Sequence, residues 1–207
     1  VPSPARGLTQ PQRLEISGQR LIEAAAQLVV EKGWEATTAA EIGRRAGYSR
    51  AMVHARFGSK DAILDTLFRD EYTRRLSPTP NPQAPGLTQG LAHFDRIGEL
   101  LADDRDFLRA MFVLSFEAVK KTSPVRRRMR AWLKRGAETI EGGLRRGIDD
   151  GSVRADVDLD RAVNDMSAAV FGLAYQWVVL GDRYDLGREL AYARARIIAD
   201  YGSGVLP

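Results

Sequence analysis

The chain has 207 residues, 44% apolar and 28% charged, the balance of an ordinary soluble globular protein with length for one large domain or two small ones. It has no cysteine, which excludes disulfides and thiolate metal sites and fits a cytoplasmic location. The net charge is a modest +4, no N-terminal apolar run marks a secretory signal, and the longest apolar run, near residues 168–180, is interrupted by Gln176 and too short to span a bilayer.

In chain order, residues 1–15 are rich in proline and polar side chains and read as a flexible arm, with Arg6 and Arg13 in reach of a groove or phosphate if it orders. Ser17 can cap a helix to about Lys32, whose Leu21, Ile22, Ala25, Leu28 and Val29 make one apolar stripe, and Gly33 can end it. Thr38-Ala39-Ala40-Glu41 is a capping box opening a second helix with Ile42 and Ala46 inward. Gly47 supplies a turn and Ser49 caps a short third helix with Val53 and Phe57 inward. Gly58-Ser59 breaks and restarts the chain, and Ser59 caps a longer helix bearing Ile63, Leu64, Leu67 and Phe68.

Residues 77–86 hold four prolines, which no helix crosses. Beyond them the pattern is helical throughout. Helices are expected over 87–102, over 104–121, from the Ser123-Pro124 start to about Asp149, from the Asp158 cap to Leu180 before Gly181, and from about Asp185 to Tyr201. The expected fold is all-α, with about nine helices. The expected organisation is an arm (1–15), a three-helix helix-turn-helix DNA-binding domain (16–58), a connecting helix (59–76) and a larger helical ligand-binding and dimerisation domain (77–207).

The segment 38–60 carries the chemistry. Arg44, Arg45, Arg50, Arg56 and Lys60 lie between positions 44 and 60 with no acid among them, on a pattern of helix, glycine turn and second helix. With Val53 and Phe57 inward, Arg50, Ala51 and His54 face outward, with Met52 at the edge. Arg50 can fork to guanine or hold a phosphate, Ala51 and Met52 can touch thymine methyls, and His54 can donate to a phosphate or base. Arg44 and Arg45 can flank the backbone. Thr38 and Lys60 sit at helix N-termini that favour phosphate, and Ser49 is a cap compatible with a DNA contact. Each arginine equally suits a surface ion pair, each of Thr38, Ser49 and Ser59 a simple cap, and Met52 core packing.

The framework Thr38-x-x-x-Ile42-x-x-x-Ala46-Gly47-x-Ser49, followed by Phe57-x-Ser59-Lys60-x-x-x-Leu64, resembles the DNA-binding segment of TetR-type transcriptional regulators. The resemblance is specific over about Gln19–Tyr72 and architectural beyond it. It implies a homodimer that binds a palindromic double-stranded DNA operator and is released by a small-molecule effector in its C-terminal domain. The recognition helix departs from the family, which commonly has a small residue and Thr, an apolar residue, then a Tyr that meets phosphate. This chain has Ala51, Met52, Val53 and His54, so the operator of a relative does not transfer.

The helix expected over 158–180 is apolar on more than one face and has to be buried on both. It suits either the centre of a monomer core or, with the last helix, a four-helix interface across a two-fold axis. The interface candidates are Val163, Met166, Val170, Leu173, Trp177, Leu180, Leu190 and Ile197. Phe94, Met111, Phe112, Phe116, Met129, Trp132, Phe171 and Tyr175 either fill the core or line a cavity for an apolar or amphipathic effector. The run Arg126-Arg127-Arg128-Met129-Arg130 reads as a solvated face.

Catalysis finds little support. His54 and His93 stand apart, no phosphate-binding or hydrolase motif occurs, and Gly142-Gly143-x-x-x-Gly147 follows no strand. No cofactor, metal or membrane partner is expected. The reading is a ligand-responsive repressor. The alternatives are an activator of the same fold, or a helical ligand-binding or enzymatic protein with an incidental basic hairpin.

Overall fold

The first helix begins earlier than its apolar stripe suggests. In the computed structural model, which describes residues 9–79 and 81–204, α1 spans Gln10–Ala36. Thr9 caps it, accepting from the Gln12 amide while the Gln12 side chain accepts from Thr9, and Pro11 sits in the first turn, where a missing N–H costs nothing. Ser17 is therefore an interior residue, buried and donating back to the Leu14 carbonyl. Residues 10–15 are helix and not a free arm, while Arg6 lies outside the described residues. Gly33, at φ 81° and ψ 166°, breaks the helix where expected, but the chain resumes helical hydrogen bonding through Ala36.

Short helices follow: α2 (Ala39–Arg45), α3 (Arg50–Phe57) and α4 (Lys60–Thr66), capped by Thr38, Ser49 and Ser59 as the sequence indicates. They close over α1 on a core of Leu21, Ala25, Leu28, Trp34, Ile42, Val53, Ile63 and Leu64, of which all but Leu28 are sealed from solvent and Leu28 is nearly so. The connecting helix is continuous but not uniform. Leu67–Tyr72 is wound as π-helix before α5 (Thr73–Leu76), and the Thr73 hydroxyl donates to the Phe68 carbonyl inside it. A π-turn shifts the helical phase. Leu67 can thus serve the N-terminal core while Leu76 is buried in the second domain.

The body comprises α6 (Gly86–Asp103), α7 (Arg105–Glu117), α8 (Val125–Asp149), α9 (Leu159–Leu180) and α10 (Leu186–Tyr201), within two residues of expectation for α6, α8, α9 and α10 and four shorter than expected at the end of α7. Asp104, Asp158 and Asp185 cap α7, α9 and α10. Val153 and Gly202 form an isolated antiparallel bridge.

The glycine run of α8 has a packing role. Gly86 and Gly90 on α6 face Gly147 and Gly143 on α8, and a Cβ at Gly143 would fall on the Gly90 backbone. Two one-turn pairs of glycines let the helix backbones touch.

Both α9 and α10 bury faces that the sequence assigns to a partner. Met166 and Trp177 have no exposure, and Val170, Leu190 and Ile197 are buried within this chain. They are core residues, a correction to the expected interface. Val163 and Leu173 are half-buried, and Leu180 alone of that set is well exposed, at 48%. The outward face of α9 carries Ala168, Gly172, Tyr175 and Val179, and that of α10 carries Ala191, Tyr192, Ala195 and Ala199.

Gly143→Ala should destabilise the protein by about 1–3 kcal/mol despite alanine's better helix propensity, because the methyl has no space. Gly142→Ala, whose Cβ would meet nothing within 4 Å, should not. Thermal unfolding of the pair checks this.

Candidate nucleic-acid interface and effector cavity

The helix-turn-helix angle is set by close backbone contact. At Gly43 a Cβ would come 2.9 Å from the Ser49 carbonyl oxygen, and the Gly43 carbonyl accepts from the Tyr48 amide at 2.7 Å. Gly47, at φ 79°, makes the turn in the left-handed region where glycine is unstrained. Val53 inward then fixes the rotation of α3. Arg50, Ala51, Met52 and His54 face solvent, as the sequence indicates.

The basic residues divide into two groups. Arg44, Arg50 and Arg56 are exposed and make no ion pair within the chain among the described residues. Arg45 is tied to Glu31 by two hydrogen bonds of 2.6 and 2.7 Å, which raise its pKa. Arg56 lies against α1 at Gly18, whose missing side chain makes room for the guanidinium. Lys60 donates to the Trp34 and Thr37 carbonyls, both at 2.7 Å, and lies 4.7 Å from the Trp34 ring centroid. Its ammonium is a C-terminal cap for α1, and burial lowers its pKa against the pull of nearby carboxylates. Lys60 is thus committed to the fold instead of standing free at a helix N-terminus. Thr38 is committed as well. Its amide and hydroxyl both donate to Glu41, and Lys32 pairs with the same carboxylate. Those contacts pull the Glu41 carboxyl down to about 2.

His54 uses one ring nitrogen inside the protein. Its Nδ1 donates to the Gly58 carbonyl at 2.9 Å, closing the C-terminus of α3 and leaving Nε2 outward. The Ser49 oxygen accepts the Met52 amide at 3.2 Å and retains its own proton to donate. The free outward set is therefore Arg44, Ser49, Arg50, Ala51, Met52 and His54 Nε2, with Arg56 exposed beside α1.

One junction ties this domain to the body, and the sequence gives no sign of it. Glu117, at the end of α7, occupies the space where a side chain at Gly33 would stand. Its Oε1 accepts the Trp34 amide at 2.7 Å, while its Oε2 is buried without a partner. Burial raises its pKa. Lys120 reaches Glu35 beside it at 3.0 Å. A second tie runs from Arg128 on α8 to Asp65 on α4 at 2.7 Å, and Arg126 donates to the carbonyls ending α7. Half of the arginine run is thus structural, where a solvated face was expected.

In the body, Leu76, Gly90, His93, Phe94, Phe112, Trp132, Gly136 and Phe171 are among the residues around a cavity of about 40 Å³. Of the expected effector residues, Phe94, Phe112, Trp132 and Phe171 line it. Met111 and Met129 are core residues elsewhere, and Phe116 packs edge-on against Tyr175, which is 56% exposed. The free space is enough for roughly two or three waters, and the ring contacts Phe112–Phe171 and Trp132–Phe171 fill the rest.

The Glu117 junction separates two variants. Glu117→Ala strands the Trp34 amide and should cost about 1–3 kcal/mol. Glu117→Gln keeps the acceptor and removes the buried charge. Because folding raises this carboxyl's pKa, its stabilising contribution is complete below the unfolded value of about 4.3 and is lost as pH rises through the folded value. Wild type should therefore lose stability relative to Glu117→Gln as pH rises from 4 to 8. Denaturation midpoints across that range test it, and parallel curves would contradict it.

Comparison with known proteins follows the same division. Residues 21–67 match the N-terminal family model described as bacterial regulatory proteins, tetR family. The fatty acid metabolism regulator protein of Bacillus subtilis is 22% identical over 170 residues, covering 81% of this chain and 86% of the relative. The fold matches that of FadR from Bacillus subtilis, solved in complex with stearoyl-CoA, with a TM-score of 0.72 at 21% identity over 91% of this chain and 99% of that one. It equally matches SmeT, the repressor of the Stenotrophomonas maltophilia multidrug efflux pump SmeDEF, with a TM-score of 0.72 at 23% identity over 92% and 95% of the two chains. Together with the helix-turn-helix geometry, these matches show that residues 21–67 form an N-terminal domain of the tetR-family type, on a chain whose whole fold is that of these regulators.

Proposed function

We propose that the protein is a homodimeric repressor that holds a palindromic operator and lets go when a small apolar or amphipathic molecule enters the cavity of its body. The observation that carries the reading is the outward surface of α2 and α3, where exposed Arg44, Arg50 and Arg56 have no ion pair among the described residues while Arg45 and Lys60 are held by the fold. Cations with no partner inside the chain are available to phosphates and guanine edges. FadR in complex with stearoyl-CoA and SmeT in complex with triclosan supply precedents for small molecules bound by this fold.

The dimer reading moves to a different face from the one the sequence suggests. Ala168, Gly172, Ala191, Ala195 and Ala199 form small-residue stripes on α9 and α10, flanked by exposed Tyr175, Val179, Leu180 and Tyr192. Small residues let helices of two protomers approach closely, and the aromatic and aliphatic side chains beside them supply area to bury. Two α3 helices about 34 Å apart would then enter successive major grooves. An effector needs only about 2 kcal/mol of preference for a splayed dimer to weaken operator binding tens-fold. The ties Glu117–Trp34 and Arg128–Asp65 offer the mechanical route, since each joins a cavity-bearing helix to the DNA-binding domain.

Arg50→Ala should weaken binding to a palindromic promoter fragment roughly 10–100-fold and relax sequence preference, and Arg44→Ala should weaken it uniformly and reduce the salt slope by about 1. Both should remain dimeric. Ala195→Arg should yield a folded monomer in sedimentation, with operator binding lost. Affinity that is flat against salt in the wild type would overturn the DNA-binding reading. Promoter output that falls when the protein is removed would make it an activator.

A further inference from the structure

The cavity wall is apolar except for two side chains, His93 on α6 and Ser167 on α9. His93 Nδ1 is buried and has no hydrogen-bond partner. An unpaired polar atom of this kind costs free energy unless a ligand satisfies it. Desolvation lowers the imidazole pKa, so the ring is neutral at physiological pH. No Lys, Arg, Asp or Glu is part of the wall, so nothing there would compensate a charged guest. The wall is open at Gly136, where a Cβ would meet nothing within 4 Å, and Leu133 at its edge is 40% exposed. Four aromatic rings (Phe94, Phe112, Trp132 and Phe171) face the same space.

Resting on the effector-cavity reading above, we propose that His93 is the specificity-determining residue of this cavity, and that it selects an uncharged, largely apolar molecule with one hydroxyl group placed against Nδ1. A hydroxyl both donates and accepts, so it satisfies either tautomer of a neutral imidazole without bringing a charge into the apolar wall. A hydrocarbon would leave Nδ1 unpaired. A carboxylate would lose its hydration and find no cation. Because the free space is small, the guest has to displace side chains, and Leu133 and Trp132 at the edge are the ones placed to yield.

The test compares three probes of one shape, 4-butylphenol, butylbenzene and 4-butylbenzoate, binding to the full chain by calorimetry and by tryptophan emission, since Trp132 borders the cavity. The phenol should bind at least about tenfold more tightly than butylbenzene, the scale of one buried hydrogen bond, and the benzoate should bind weakest. His93→Leu should erase the preference for the phenol while retaining butylbenzene, and Gly136→Leu should abolish binding of both. Equal wild-type affinity for phenol and butylbenzene, or a phenol preference that persists in His93→Leu, overturns the role of His93 and leaves the cavity reading intact. Preference for the benzoate overturns the uncharged class. Binding of none of the three, with Gly136→Leu indistinguishable from wild type, removes the cavity reading itself. The wild-type ratio alone decides the matter if His93→Leu does not fold.

Discussion

The meeting of Glu117, Gly33, Trp34 and Lys60 holds the two halves of the protein in one arrangement. Gly33 interrupts α1 and so frees the Trp34 amide, and the end of the helix three residues later leaves the carbonyls of Trp34 and Thr37 open to a further donor. Glu117 from the body takes the amide, and Lys60 from the start of α4 takes the carbonyls of Trp34 and Thr37. A defect in one helix thus becomes the docking point for two others. A residue with a Cβ at position 33 would displace the carboxylate and strain the left-handed backbone. The orientation of α1 against α7, and through it the placement of the reading helix, rests on that glycine.

The arrangement also explains why a strongly basic segment presents only part of its charge freely. Of the five cations between positions 44 and 60, Lys60 caps a helix, Arg45 holds Glu31 and Arg56 covers Gly18. Those three contacts set α4, α2 and α3, in that order, against α1. What remains outward is three arginines, a serine, a histidine nitrogen, a methyl and a thioether.

Most of the fold was legible because most of its signals are local. Thr38 with Glu41, and Ser49, Ser59, Asp158 and Asp185, cap helices within three residues of themselves, and Gly47, Gly58 and Gly181 turn the chain where they stand. The Thr9–Gln12 box was equally local, but it is set among prolines, and Pro11 reads as a breaker unless its place in the first turn is recognised. The lost information is of two kinds. Glu117 and Trp34 are 83 positions apart, and no periodicity relates them. The helix α9 is apolar nearly all round, so its pattern carries no phase, and Met166 and Trp177 could not be assigned to the inside until the other helices were in place. The site divides in the same way. The outward residues of α3 follow from the inward Val53, whereas the withdrawal of Lys60 and the isolation of His93 depend on neighbours far along the chain.

The glycine contact between α6 and α8 has a mechanical consequence. Backbone pressed on backbone leaves no compressible side chains between the two helices, so they form a stiff plate. His93 and Gly136 belong to this plate, whereas Phe112 on α7 and Phe171 on α9 belong to the facing wall. Volume beyond what the Leu133 and Trp132 side chains yield at the edge displaces the softer wall. On one side of that wall lies α7, ending at the α1 break, and on the other lies α9, with its bare outer stripe. A swelling of a few ångströms in the body would therefore be delivered in two directions only, toward the kink at Gly33 and toward the exposed face of α9.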